Sequence, residues 1–323
     1  MTESKHILLW AEGYFATQSN LKTINTQKIL QTSYSMVYKI QTEQGDFYLK
    51  KTPKDLFLEP DVISFLNVRH CMNVPKFVAK NDLLNCFLMT SCGNESLRHL
   101  FKGQAETNQI GQGINNFTKI QRVLENSLSD MQSIQIPDWR LNKFPHLYRH
   151  LILQEQLLLD DGMTKQEIDQ LHLLEGNCTN LCNELLNFGI PETINHNDFH
   201  ENNMILDKST ENISIIDWGE AVITHPFFSL NGCLWNITHF YKMKAGDQQY
   251  KALQLFCIEP WLDLYSEEQL IKILNTANKL HGVYAALGYE KIYKATQHQE
   301  ETVQKEHPGS IAGCLRTFID SAR

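Results

Sequence analysis

Two stretches of this chain hold the residue types that phosphoryl transfer requires. His196-Asn-Asp-Phe-His-Glu-Asn-Asn203 sets a His, an Asp and an Asn at the spacing His-x-Asp-x-x-x-x-Asn, and Ile215-Ile-Asp-Trp-Gly219 adds a second Asp after a β-branched run. An alcohol is a poor nucleophile, so a carboxylate within hydrogen-bond reach must orient it and take its proton, and Asp198 is the candidate base. Asn203 and Asp217 are hard oxygen donors of the kind Mg²⁺ prefers when it sits on nucleotide phosphates. His196 reads as a structural hydrogen-bonding residue that fixes the loop.

Upstream residues complete the set. Lys50 ends the apolar run Phe47-Tyr-Leu-Lys50, and Glu59 opens the next helical pattern. A Lys from a strand, held by a Glu from a neighbouring helix, can fix a cation against the α- and β-phosphates of a nucleotide. Lys51 is the alternative, but adjacent strand residues point to opposite faces, so only one of the two can enter a cleft. A zinc reading of His196, His200 and Glu201 fails on spacing. That site needs a Glu directly after the first His, on a helix, and here Asn197 stands there in an Asn- and Asp-rich segment that opposes helix.

Strands and one helix must position Lys50 and Glu59. Residues 31–42 are rich in β-branched and aromatic side chains, 43–46 form a turn and 47–50 return, which makes a hairpin. Residues 56–68 carry helical spacing, and 75–78 and 85–89 are short strands before Gly93 breaks the pattern. Beyond it, 103–113 read as a polar loop, and 120–131 and 147–159 as amphipathic helices. Thr164 with Glu167 and Ser266 with Gln269 are capping boxes, the first opening a helix that runs to Phe188. Only 194–223 interrupts the helices with short strands. The expected fold is α+β and two-lobed: a small antiparallel-sheet lobe over residues 1–92 and a larger, mainly helical lobe over 93–323.

With these residues in this order, the chain resembles the aminoglycoside phosphotransferase and choline kinase superfamily, whose fold is that of protein kinases. His196, Asp198 and Asn203 match its catalytic loop, Asp217-Trp-Gly219 its metal turn, Tyr48-Leu-Lys50 its lysine strand and Glu59 the helix partner. The resemblance implies that Phe87-Leu-Met-Thr-Ser-Cys92 is the interlobe hinge, with the backbones of Thr90 and Cys92 binding the base. It also makes Ser33 the residue of the glycine-free nucleotide loop, Gln31 to Val37, that meets phosphate. It implies ATP or GTP with Mg²⁺, and a small-molecule hydroxyl as acceptor. Two positions depart from the pattern. Glu201 and Asn202 stand where Pro and Gly are common, and Ser229 stands where an Asp usually braces the loop, so Ser229 is expected only to cap its helix. His200 is expected to donate a hydrogen bond to the γ-phosphate. Glu220 reads either as a contact to Mg²⁺ or a cationic acceptor, or as a solvated surface residue.

Composition narrows the partners. Among 323 residues, 37 acidic against 29 basic side chains give a formal charge of −8 with no basic block, which speaks against nucleic acid. The apolar patch from Ile7 to Trp10 is too short for a signal peptide, and no run approaches the ~20 apolar residues of a membrane span. Eight scattered cysteines without a Cys-x-x-Cys pair read as reduced thiols, so the cytoplasm is the expected location. Trp235, Phe240, Tyr241, Trp261 and Tyr265 read as ordinary helix packing or as a cage for a quaternary ammonium, which leaves a choline- or ethanolamine-type kinase open. A nucleotide-binding pseudoenzyme with a regulatory role is the second alternative. Oligomeric state is not legible.

Overall fold

Period-two alternation builds the first lobe. The computed structural model describes residues 3–19, 21–299 and 303–322. Helix α1 (Glu3–Tyr14) precedes strands β1 (Thr23–Gln31), β2 (Met36–Thr42) and β3 (Gly45–Lys51), then helix α2 (Glu59–Val68) and strands β4 (Phe77–Asn81) and β5 (Cys86–Thr90). The strands form one antiparallel sheet in the order β1-β2-β3-β5-β4. Leu49, Cys86 and Leu88 pack with Ile7 and Ala11 of α1 and with Phe15 just after it. Phe87 and Met89 point the other way and pack with Val62, Ile63 and Leu66 of α2. The same alternation separates the two lysines of β3. Lys51 pairs with Glu3 of α1 at 2.8 Å, whereas Lys50 reaches Glu59 of α2 at 2.6 Å.

The second lobe is helical around two small sheets. It runs through β6 (Glu95–Ser96), α3 (Leu97–Phe101), α4 (Thr107–Leu124), α5 (Leu128–Ser133), α6 (Phe144–Ile152), α7 (Glu155–Asp160), α8 (Lys165–Leu173) and α9 (Glu175–Phe188). Strands β7 (Thr193–His196), β8 (Met204–Asp207), β9 (Asn212–Ile215) and β10 (Ala221–Thr224) follow, and then α10 (Phe227–Tyr241), α11 (Gln248–Ile258), α12 (Glu267–Lys279), α13 (His281–Thr296), α14 (Val303–Glu306) and α15 (Ser310–Ser321). β7 pairs with β10, and β8 lies between β6 and β9. Gly93 lets the connection between lobes press onto β8: a Cβ there would stand 2.6 Å from the Leu206 carbonyl oxygen. No helix among the described residues is long and apolar enough to cross a membrane.

Several boundaries differ from the sequence reading. The strand expected over residues 31–42 begins only at Met36, because Thr32 and Ser35 close a turn after β1 in which the Thr32 N–H donates to the Ser35 carbonyl (2.8 Å) and the Ser35 N–H to the Thr32 hydroxyl (3.0 Å). The expected loop at 103–113 is helical from Thr107, since Ile110, Ile114, Phe117 and Leu124 form a buried stripe that outweighs the two glycines. Helices expected over 120–131, 147–159 and 164–188 are each broken into two. Both capping boxes form as read.

Candidate active site

The lobes meet through Lys50. Its Nζ lies 2.6 Å from Glu59 Oε2 and 2.5 Å from Asp217 Oδ1, so one buried ammonium from β3 joins a helix of the first lobe to the turn after β9. Burial alone would lower the pKa of this lysine, but Asp217 and Glu59 outweigh it and push the value up, keeping the charge in place. Glu59 also accepts the Trp218 N–H at 3.2 Å, which ties α2 to the turn itself. Asp217 holds a left-handed backbone, φ 66°, which is uncommon for a non-glycine residue and aims its side chain back at the cleft.

Asp198 and Asn203 face each other across the loop between β7 and β8. The Asn203 side-chain amide donates to both the Asp198 backbone carbonyl and Oδ2, each at 2.9 Å. That fixes the amide, leaving its oxygen as the atom able to serve a cation. His200 Nε2 lies 2.9 Å from Asp198 Oδ1, while its Nδ1 accepts the Asn202 N–H at 3.1 Å. The ring therefore carries its proton on Nε2 and donates it to Asp198, so in this structure the donor expected to meet a γ-phosphate is directed at the candidate base. Burial pushes the Asp198 carboxyl up, but the adjacent His200 more than offsets this and holds it below the ordinary range.

Buried neighbours lock these two segments together. His196 Nε2 donates to the Ile216 carbonyl at 2.8 Å, one residue before Asp217, and the Ile216 N–H donates to the Asn203 carbonyl at 3.0 Å. Burial lowers the His196 pKa, so the ring stays neutral and structural. Ser229 does not cap its helix, as the sequence suggested. It lies inside the first turn of α10, where its hydroxyl donates to Asn195 Oδ1 (2.8 Å) and accepts the His196 N–H (2.9 Å). Glu201 is a further contributor that spacing did not reveal. It is fully buried and pairs with Arg98 of α3 at 2.6 Å, and Tyr241 of α10 donates to the same oxygen. A charge at a position usually occupied by Pro was the signal, since a buried carboxylate demands a partner.

Other expected residues meet different surroundings. The Ser33 N–H and hydroxyl donate to the two carboxylate oxygens of Glu306, at 2.7 and 2.9 Å. The loop expected to hold phosphate thus holds a carboxylate from α14. The Thr90 N–H donates to the Lys76 carbonyl at 3.0 Å and is therefore engaged within the lobe. Neither Thr90 nor Cys92 borders the cavity described next, because that cavity extends toward α13 and α15 instead of the hinge. Among the candidate cage aromatics, Trp261 is buried against Phe227, Tyr265 bonds the Phe188 carbonyl, and only Trp235 and Phe240 reach the cavity.

A cleft of about 730 Å³ brings Lys50, Glu59, Asp198, Asn203, Asp217 and Glu220 to one space. Glu220 is not a solvated surface residue. Its carboxyl is pushed up to about 8, by burial first and then by Asp198 and Asp217. Glu59, Asp198 and Asp217 against Lys50 leave an excess of negative charge that a divalent cation would relieve, and the raised Glu220 carboxyl reflects that crowding. No group of three or more His, Cys, Asp or Glu side chains among the described residues could cage a metal unaided. The donors fit Mg²⁺ that shares its shell with phosphate oxygens, since Asn203 and Asp217 supply hard oxygens only.

A family model described as the phosphotransferase enzyme family matches residues 27–261. No relative is found by sequence among curated proteins. Among solved structures, an ethanolamine kinase from Plasmodium vivax superposes with a TM-score of 0.61 at 12% identity, covering 96% of this chain and 86% of that one. An aminoglycoside 2″-phosphotransferase solved with GDP and kanamycin gives 0.60 at 11% identity, covering 98% of each chain. An aminoglycoside phosphotransferase from Streptomyces rimosus, solved with ADP and streptomycin, gives 0.51 at 13%, covering 86% of this chain and 99% of that one. At these identities the likeness is one of fold.

Proposed function

The chain belongs to the phosphotransferase enzyme family, and from that premise we propose that it moves the γ-phosphate of ATP or GTP to a hydroxyl of a small molecule, in the cytoplasm and with Mg²⁺. The observation that carries this reading is the convergence of Lys50, Asp198, Asn203 and Asp217, drawn from both lobes, on one cleft. Lys50, its charge maintained by Glu59, would meet the α- and β-phosphates. Asn203 and Asp217 would hold Mg²⁺, which when bound neutralises charge developing on the transferred group. Asp198, kept ionised by His200, would orient the acceptor hydroxyl and accept its proton. His200 acts here through Asp198, and Ser229 with His196 keeps the loop and the metal turn in register. The eight cysteines are free thiols, which supports a reducing compartment.

The test is transfer of label from γ-labelled ATP or GTP to a hydroxyl-bearing acceptor, with and without Mg²⁺. The reading predicts Mg²⁺-dependent labelling of the acceptor. Nucleotide that binds but never donates its phosphate, across chemically diverse acceptors, would favour a regulatory binding module.

A further inference from the structure

The cleft continues past Asp198 between α10, α13 and α15, and the charge pattern changes there. Every carboxylate that borders the cavity among the described residues lies at the catalytic end: Glu59, Asp198, Asp217 and Glu220. The three helices contribute none. They offer the imidazoles of His239 and His281, the amide of Asn236 and small residues such as Gly232 and Gly313. An ammonium ligand is held by carboxylates or by open aromatic faces. The two aromatic rings of α10 that border the cavity each have one face engaged. Trp235 stacks on His239 with ring centroids 5.0 Å apart and planes within 8°, and the Arg98 guanidinium lies 4.1 Å from the Phe240 ring centre. Among the described residues a cationic acceptor would meet no carboxylate on these three helices, and the nearest charged side chain at this end, Arg98, is itself a cation paired with Glu201.

His281, the first residue of α13, is the second observation. It is buried, it lines the cavity, and its Nδ1 has no hydrogen-bond partner. A Cβ placed on Gly232 would stand 3.4 Å from His281 Cε1, so the Cε1 corner of the ring, between its two nitrogens, lies against Gly232 of α10. Burial depresses its pKa to about 4, which leaves the ring neutral near pH 7. A neutral imidazole has one donor and one acceptor nitrogen, which suits a hydroxyl that both gives and takes a hydrogen bond. Buried polar atoms without partners are rare in native proteins and call for a ligand or water.

We propose that the acceptor is an uncharged polyhydroxy compound of the sugar or polyol type, seated between α10, α13 and α15, and that His281 reads one of its hydroxyls. This rests on the phosphotransferase reading above. The full chain, supplied with Mg-ATP or Mg-GTP, is assayed for γ-phosphate transfer to an uncharged panel (pentoses, hexoses, inositol, nucleosides) and to an ammonium panel (aminoglycosides, choline, ethanolamine). Transfer is expected to members of the first panel only. The ¹H–¹³Cε1 signal of His281, assigned by its loss in His281→Asn, is expected to shift when such an acceptor is added. His281→Asn should raise the acceptor KM by roughly tenfold, as expected for a lost buried hydrogen bond. Gly232→Ala, which narrows the same wall and leaves the imidazole in place, should raise it too. Efficient transfer to an ammonium acceptor overturns the proposal and leaves the kinase reading standing. A His281 signal unmoved by every uncharged compound overturns it as well. Failure of nucleotide to bind by calorimetry would instead sink the phosphotransferase reading, and the proposal with it.

Discussion

At the scale of single residues, the site is an arrangement of charges that hold one another in defined protonation states. Asp198 lies beside His200 and below its ordinary pKa for that reason. Removing the ring should let burial dominate, so His200→Ala is expected to move the acid limb of the kcat/KM profile to higher pH. An unshifted limb would mean that His200 does not tune the base. Glu220 tests the crowding of carboxylates from the other side. Its pKa is raised above the value it has in the unfolded chain, so the folded protein retains a proton that the unfolded one releases. The group therefore adds no penalty below the ordinary Glu range, and stability falls as pH rises from there toward about 8. Thermal midpoints measured between pH 5 and 8 should decline in the wild type, and Glu220→Gln should flatten that decline.

At the scale of elements, the loop from His196 to Asn203 depends on supports that its motif does not name. Ser229 accepts the His196 N–H and donates to Asn195, both fully buried. Ser229→Ala leaves two buried polar groups short of a partner and should destabilise the fold by about 1–3 kcal/mol in a urea titration, with a fall in kcat larger than the change in nucleotide affinity. Wild-type stability in that variant would show that water or Tyr284 takes over the role. The sequence carried the elements whose signal is local. Alternation identified the β3 strand and put Lys50 and Lys51 on opposite faces, and both capping boxes marked true helix starts. It failed where tertiary packing decided. The buried stripe of α4 overrode Gly111 and Gly113, and Ser229 looked like a cap because only its contact with β7, distant in sequence, reveals the brace. Pairing Glu201 with Arg98 was equally out of reach, since the partner lies on another helix.

At the scale of the whole molecule, the family's two-lobed form was legible from the order of its motifs, while the course of the C-terminal segment was not. Glu306 of α14 binds the Ser33 N–H and hydroxyl, in a loop expected to meet phosphate. A carboxylate there competes with a nucleotide oxygen for the same donors. Glu306→Ala should therefore lower the nucleotide KM by roughly three- to tenfold, a small effect because the residue is exposed. A raised KM would make the contact a scaffold for the loop instead. The central claim is that residues from both lobes form a single phosphoryl-transfer site with Asp198 as its base. The most direct test is Asp198→Asn, followed by calorimetry with Mg-nucleotide and by rapid-quench transfer to the acceptor. The account predicts nucleotide affinity close to that of the wild type and a transfer rate reduced by at least about a hundredfold. Transfer at the wild-type rate would contradict it.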